Sequence, residues 1–538
     1  MKAYQAFAAA VKDEGVHTLF GLIGDANMQY VAHYVDALGG RFVPSAHEAG
    51  AIAMADGYHR ISGELTVATV THGPGFTNTV TALTEATRAG SRLLVLTGDT
   101  PAVRTWTQRL DIAAMVAPTG AGYERVYSAA SVAEDLARAV HRVRTESRPI
   151  VLNFAYDLMQ QEIEPRVLKP APALGYLPPR PDDAAYERVL DVIASAKRPL
   201  VLAGRGAALS GAREELIRFA EAIGAPLATS LLGRDLFRGH PLDLGIVGSL
   251  SNSIATEAVV ASDVVFAFGA GLNRYTTDKG ELLAGKRIVQ IDIDPRDIGL
   301  FTRVDEALIG DAKEVAARLA ELLAEAGFGG TGWGASYAER IAAWTPESEF
   351  ADQSGEDTVD VRTAVIELDR VLPEQRTVVT DVGRFIVAGW RYLHVPYPTR
   401  FTHMSTFGAI GLGLGAALGA ALADPGVLTV ALMGDGGFMM TAGELTTAVR
   451  NRIPLLVVVL DDGAYGAEVN KLRAHGESEL HSYIDWPELA PFAASMGART
   501  LTITRREGFA AIPELLDGLD GPAFVDVRMD RTAQVGHW

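Results

Sequence analysis

The residues from Val430 to Arg473, VALMGDGGFMMTAGELTTAVRNRIPLLVVVLDDGAYGAEVNKLR, place acids at two points where an apolar run gives way to glycine: Asp435 within Gly434-Asp435-Gly436-Gly437, and Asp461-Asp462 before Gly463. Glycines let backbone amides approach an anion closely, and a helix starting there turns its positive end to the same point. That combination suits a phosphate. Asp435 would repel a bare phosphate, so a divalent cation between them resolves the conflict, held by oxygen ligands at near-octahedral geometry. The second acid then comes from the next strand tip, Asp462, because ligands of open parallel sheets gather at the carboxyl ends of strands. The competing reading is that Asp435 caps a helix and Asp461-Asp462-Gly463 makes an ordinary turn.

For two such tips to meet, the strands must be parallel neighbours, and the chain is patterned for that. Helix and strand alternate in three segments, 1–165, 184–345 and 355–538, which predicts an α/β protein of three doubly wound parallel-sheet domains. Strands are expected at HTLFGLIG, RFVPSA, LTVATVTHG, SRLLVLTGD and RPIVLNFA in the first, at RPLVLAGRGA, DVVFAFGAGL and KRIVQIDIDP in the second, and at RTVVTDVG, VLTVALMGDGG, IPLLVVVLDDG and PAFVDVRMD in the third. A helix from Phe438 to Asn451 should follow the first acid. Six prolines between Pro165 and Pro181 mark a surface linker. In MSTFGAIGLGLGAALGA, Met404 to Ala420, the glycines suggest a dinucleotide loop, but no strand is expected before them. Tight packing at a helix start is the alternative.

At 538 residues the chain exceeds one core, and 48% hydrophobic with 21% charged residues is globular composition. No apolar stretch nears the roughly 20 residues of a membrane span. A net charge of -18 argues against nucleic acid, whose phosphates need clustered Lys and Arg. The opening MKAYQAFAAAVKDEGV has helical spacing and no export-signal pattern, and cysteine is absent, so a cytoplasmic location is expected.

The Gly-Asp-Gly followed after 24 residues by a pair of acids resembles the diphosphate-and-metal motif of thiamine diphosphate enzymes, where the pair is usually Asn-Asn. The resemblance implies that Asp435, Asp462 and the Ala464 carbonyl bind Mg²⁺ and that Gly436 and Gly437 offer amides to the diphosphate. SAHEAGAIAMADGYHR, Ser45 to Arg60, resembles the family's segment with the catalytic glutamate, here Glu48; alone it would be a helix N-terminal acid. In the family that carboxyl bonds the pyrimidine and makes its amino group a base for the thiazolium carbon. Gly408 and Ile410 match the family's pyrimidine-holding segment, whose bulky residue bends the cofactor. Arg384 and Phe385, in TDVGRFIVAGW, match residues bordering the diphosphate, with a surface arginine as the alternative. His72, in THGPGFTNTVTALTEA, matches the loop facing the thiazolium in acetolactate synthases, where serine is common. Gln108 matches a glutamine near the reacting carbon.

The resemblance spans nearly the whole chain, in the domain order of acetolactate synthase, benzoylformate decarboxylase and pyruvate decarboxylase. It implies C–C cleavage or formation beside a carbonyl, most simply decarboxylation of a 2-oxo acid with carboligation. A simple 2-oxo acid decarboxylase, a 2-hydroxyacyl-CoA lyase-like enzyme and a catalytically silent cofactor-binding protein are the alternatives. DDGAYGAEVNKLR resembles the benzoylformate decarboxylase segment, with Tyr465 at the cofactor and Glu468 where related decarboxylases keep an acid; Glu468, Lys471 and Arg473 are candidate substrate contacts, or a solvated helix face. FAD in the middle domain is possible and not favoured. The family's site lies between two subunits, so a homodimer or homotetramer is implied.

Overall fold

The computed structural model describes residues 1–101, 105–164 and 178–533. The expected linker lies mostly outside them. The first sheet holds β1 (Thr18–Gly21), β2 (Arg41–Pro44), β3 (Thr66–Val70), β4 (Leu93–Asp99), β5 (Gly122–Arg125) and β6 (Ile150–Ala155), ordered β2-β1-β3-β4-β6-β5. The second holds β7 (Pro199–Ala203), β8 (Leu227–Thr229), β9 (Asp243–Ile246), β10 (Val264–Phe268), β11 (Arg287–Asp292) and β12 (Glu306–Ile309), ordered β12-β11-β10-β7-β8-β9. The third holds β13 (Arg376–Thr380), β14 (Phe401–His403), β15 (Leu428–Gly434), β16 (Leu455–Asp461), β17 (Arg499–Ile503) and β18 (Pro522–Arg528), ordered β14-β13-β15-β16-β18-β17. The first and third sheets thus repeat one topology. The architecture is the α/β one expected, with three parallel sheets between helices.

Helices on both faces leave central strands no solvent side, which is why they read as unbroken apolar runs. β16 is buried at all seven positions. The unexpected strands are β5, β8, β9, β12, β14 and β17, of three to five residues and nearly all at sheet edges. Edge strands with one wet face lack that continuous signal.

Two local expectations are corrected. The helix expected from Phe438 to Asn451 is two helices, Asp435–Thr441 and Glu444–Arg450, parted at Ala442-Gly443. The Met404–Ala420 glycine run does follow a strand, β14, so the reason for setting the dinucleotide loop aside fails. Packing supplies a better one. The Gly413–Ala423 helix lies against the Glu48–Ser62 helix, where a Cβ on Gly419 would stand 1.8 Å from the Met54 carbonyl oxygen and one on Gly57 2.0 Å from that of Ala416. The glycines admit a neighbouring backbone.

The described residues group into two compact units. One combines 1–101, 105–164, 353–386 and 402–533, and its core joins the first and third sheets through those two helices. The other comprises 178–352 with 387–401, built around Phe219, Phe266 and Phe268. Within it the fully buried Arg234 pairs with Asp235 at 3.0 Å and donates to the Leu393 carbonyl at 2.5 Å. No helix among the described residues is long and apolar enough to cross a membrane.

Candidate active site

β15 and β16 are parallel neighbours in a register that pairs Gly434 with Leu460, so their acids emerge at adjacent tips, as the spacing predicts. A cleft opens there. It is lined by Phe385, Ile410, Asp435, Gly436, Gly437, Asp462, Ala464 and Tyr465, with Arg384 and Glu468 beside them. Ten of the sixteen candidate residues therefore meet at one place. Gly408 is not among the lining residues; it sits nearby in the left-handed region, at φ 85°.

Asp435 is 2% exposed and accepts a hydrogen bond on Oδ2 from Trp486 Nε1 at 2.9 Å. Burial, reinforced by Asp462 and Asp461, pushes its carboxyl up to about 7. Asp462 is also buried, and burial raises its carboxyl against the pull of Arg384, whose Nε is 2.7 Å from Oδ2. Asp461 turns away from the cleft: Oδ1 accepts from the Gly463 N–H at 2.9 Å and Oδ2 pairs with Arg528 at 2.5 Å. The two adjacent acids are thus separated in role, and each has its own arginine.

Arg384 corrects the reading of a surface arginine. It is 8% exposed, and besides Asp462 it donates to the carbonyls of Asp530 at 2.6 Å and Ala533 at 3.1 Å. It borders the cleft but spends its donors on Asp462 and the C-terminal segment. Close approach explains the two glycines. A Cβ on Gly436 would stand 2.6 Å from the Tyr465 ring, and one on Gly437 2.2 Å from Asp381 Oδ2. Asp381 is a residue the sequence reading passed over. Fully buried at the tip of β13, it accepts from the Gly411 N–H at 2.8 Å and so holds the loop carrying Ile410. Its signal was an acid at a strand tip, the same that marked Asp435.

Glu468 is exposed and pairs with Lys471 at 3.1 Å, while Arg473 pairs with Glu479 at 2.8 Å. Of the three, only Glu468 lines the cleft; Lys471 and Arg473 belong to a solvated helix face.

The remaining candidates lie in the first domain and do not line this cleft. Glu48 opens its helix after the N-cap His47, is 8% exposed, and accepts on Oε2 from Asn78 Nδ2 at 2.9 Å. His72 is 1% exposed and meets Gln108 as Nε2 to Oε1 at 3.0 Å; Gln108 is half-buried in a turn. With the amide oxygen accepting, the imidazole hydrogen sits on Nε2, and the buried Nδ1 has no hydrogen-bond partner among the described residues. A Cβ on Gly98 would stand 3.3 Å from that nitrogen.

Among the described residues no three His, Asp or Glu side chains are grouped to hold a metal ion. Asp435, Asp462 and Ala464 line the cleft; two carboxylates with a main-chain carbonyl make an all-oxygen set that would suit a hard cation whose remaining positions are filled by a ligand or water.

Models of three domains match the chain in order: "thiamine pyrophosphate enzyme, N-terminal TPP binding domain" over residues 1–115, the central domain of the same enzymes over 186–319, and their C-terminal TPP binding domain over 381–527. The chain is 30% identical to the sulfoacetaldehyde acetyltransferase of Alcaligenes xylosoxydans xylosoxydans, covering 94% of this chain and 89% of the relative. It is 31% identical to a probable acetolactate synthase large subunit of Methanocaldococcus jannaschii, covering 93% and 87%, and 28% identical to the chloroplastic acetolactate synthase 2 of Nicotiana tabacum, covering 98% and 82%. With its three sheets in the matching order, the chain belongs to the thiamine pyrophosphate enzymes.

Proposed function

We propose that the chain uses thiamine diphosphate and Mg²⁺ to decarboxylate a 2-oxo acid and to join the retained fragment to a second carbonyl. The observation that carries this reading is the meeting of Asp435, Asp462 and Ala464 from adjacent strand tips in one glycine-lined cleft. Asp435 and Asp462 are two buried carboxylates lining one cleft with Ala464, a donor set of oxygens that fits a divalent cation, and the cation would offset the charge they bring together.

When bound, the cofactor supplies an electron sink for the pair left as a bond beside a carbonyl breaks. Asp435, Asp462 and the Ala464 carbonyl hold the ion, and Arg384 offsets the charge that Asp462 adds relative to an amide. Gly436 and Gly437 turn amides toward the diphosphate; Gly408, Ile410, Phe385 and Tyr465 shape the walls. Glu48 holds a proton at the pyrimidine, with Asn78 fixing one of its oxygens. Because Glu48 does not line this chain's cleft, a second copy supplies it, and the working unit is a homodimer or homotetramer. His72 and Gln108, bonded to each other at 3.0 Å, handle a proton near the substrate, and Glu468 stands at the rim where the substrate enters. The likeness to an acetolactate synthase and an acetyltransferase supports transfer to an acceptor over simple protonation. No flavin is part of this reading, and the enzyme is placed in the cytoplasm.

The test is product analysis by NMR with ¹³C-labelled pyruvate, benzoylformate and longer 2-oxo acids, each with and without an aldehyde or 2-oxo acid acceptor. A ligated product is expected. Free aldehyde alone, acceptor present, would leave a decarboxylase and remove the carboligase reading.

A further inference from the structure

Away from the cleft, two buried glutamates make contacts that the proposed chemistry does not use, and the two sets of contacts mirror each other. Glu444, 1% exposed, opens the Glu444–Arg450 helix of the third domain. Its carboxylate accepts from the N–H groups of Ala46 at 3.1 Å and His47 at 3.0 Å in the first domain, and from Thr447 Oγ1 at 2.8 Å. Glu85, fully buried on the Val80–Arg88 helix of the first domain, accepts from the N–H groups of Thr406 at 3.1 Å and Phe407 at 2.6 Å in the third.

In both cases a carboxylate takes two consecutive amides of the loop that leaves an edge strand, β2 or β14. Glu48 directly follows the first pair of amides; Gly408 directly follows the second. The surroundings are built for the contact. A Cβ on Gly50 would stand 2.0 Å from Glu444 Oε1, so only glycine leaves room for that carboxylate. Glu85 is paired at 3.1 Å with Arg60, which also donates to the His403 carbonyl at 2.6 Å and to Asp56 at 2.7 Å. Burying a carboxylate is unfavourable unless its oxygens are bonded, and here the bonds are made to the other domain's loop.

We infer that Glu444 and Glu85 are positioning residues that clamp the two half-sites of one chain crosswise, each holding from its own domain the backbone just ahead of the cofactor-facing residues of the other. This rests on the roles proposed for Glu48, Gly408 and Ile410. Where a second copy completes each site, those half-sites belong to different active centres, and the clamps join them.

The experiment uses the full chain with Glu444→Ala, Glu85→Ala and the Gln forms, which keep one acceptor oxygen. Hydrogen exchange of the cofactor-free protein reads the clamps directly. Glu444→Ala should speed exchange at Ala46 and His47, and Glu85→Ala at Thr406 and Phe407, with little change at the opposite pair. With cofactor, Glu444→Ala should lower kcat on the order of tenfold to a hundredfold, the effect of a misplaced catalytic group, with cofactor affinity near wild type. Glu85→Ala should chiefly weaken cofactor affinity, and each Gln form should recover part of the loss. If an Ala form does not fold, the Gln form carries the same crossed expectation at smaller size. Unchanged protection of the paired amides, or loss of kcat and affinity in the same proportion in both variants, overturns the clamps. Glu48→Gln is the control: full turnover there refutes the role of Glu48, whereas inactive Glu48→Gln with full turnover in Glu444→Ala refutes the clamp alone.

Discussion

Replacing Gly419 by alanine tests the helix contact that joins the first and third domains. The added carbon would lie 1.8 Å from the Met54 carbonyl oxygen and 2.8 Å from the Tyr58 nitrogen, both backbone atoms that no rotamer change can move. The two helices must therefore part by roughly 1 Å or more, and a gap of that size already forfeits about a quarter to a half of each dispersion contact along the seam. Overpacking of this kind costs about 1–3 kcal/mol, against about 1 kcal/mol regained because alanine suits a helix better than glycine. Net destabilisation of the unit holding both domains, by up to about 2 kcal/mol, is expected, a fall in its melting temperature of up to about 3 °C for a unit of this size. Gly443→Ala is the matched control, since its Cβ would meet only the Ala46 side chain at 3.4 Å and its φ of -54° suits any residue. Differential scanning calorimetry of the three proteins measures the effect. A Gly419→Ala protein that melts at or above wild type would refute the backbone contact.

Further expectations follow from the acids. Asp435 favours its protonated form in the folded, ion-free protein, so it stabilises that protein below its ordinary value of 3.8 and loses the contribution as pH rises through about 7; Asp435→Asn should raise the melting temperature at pH 8 and leave it unchanged near pH 4, and a uniform effect at both would be contrary. Mg²⁺ must displace that proton, so its affinity, measured by calorimetry with thiamine diphosphate present, should rise as pH passes through 7. Arg384→Met should destabilise the chain by about 3–5 kcal/mol because it strands Asp462, and the double change with Asp462→Asn should recover much of that in a denaturant-based cycle; strict additivity would deny the pairing. Mixing inactive Glu48→Gln and Asp435→Asn chains should restore turnover if each site draws on two copies, while a mixture that stays inactive after subunit exchange would place both residues in one chain's site.

The legible part of this protein is what repeats at short range. β15 and β16 are buried on both faces, so their apolar runs and the glycine-acid tips announce themselves without tertiary knowledge. β14 and β17 lie at sheet edges, and the break at Ala442-Gly443 falls inside a helical pattern, so neither carries a periodic signal. Arg384 was legible as a neighbour of the cleft but not as the partner of Asp462, because its committed donors reach carbonyls about 150 residues away. Glu444 and Glu85 were invisible for the same reason. An acid in a helix ordinarily faces water, and only the fold reveals that their partners are backbone amides 397 and 321 residues distant. The acid at position 462, where the resemblance leads one to expect an amide, has its added charge met by Arg384 at 2.7 Å.

The proposed reaction of this cleft, loaded with thiamine diphosphate and Mg²⁺, is cleavage of the bond beside the carbonyl of a 2-oxo acid. Its most direct measurement is ¹³CO₂ release from 1-¹³C-labelled 2-oxo acids by the purified chain, with cofactor and ion supplied together, singly and not at all. Release only when both are supplied, and its loss in Asp435→Asn, is the predicted result. Release that is indifferent to thiamine diphosphate, or none from any 2-oxo acid with both supplied, would contradict it.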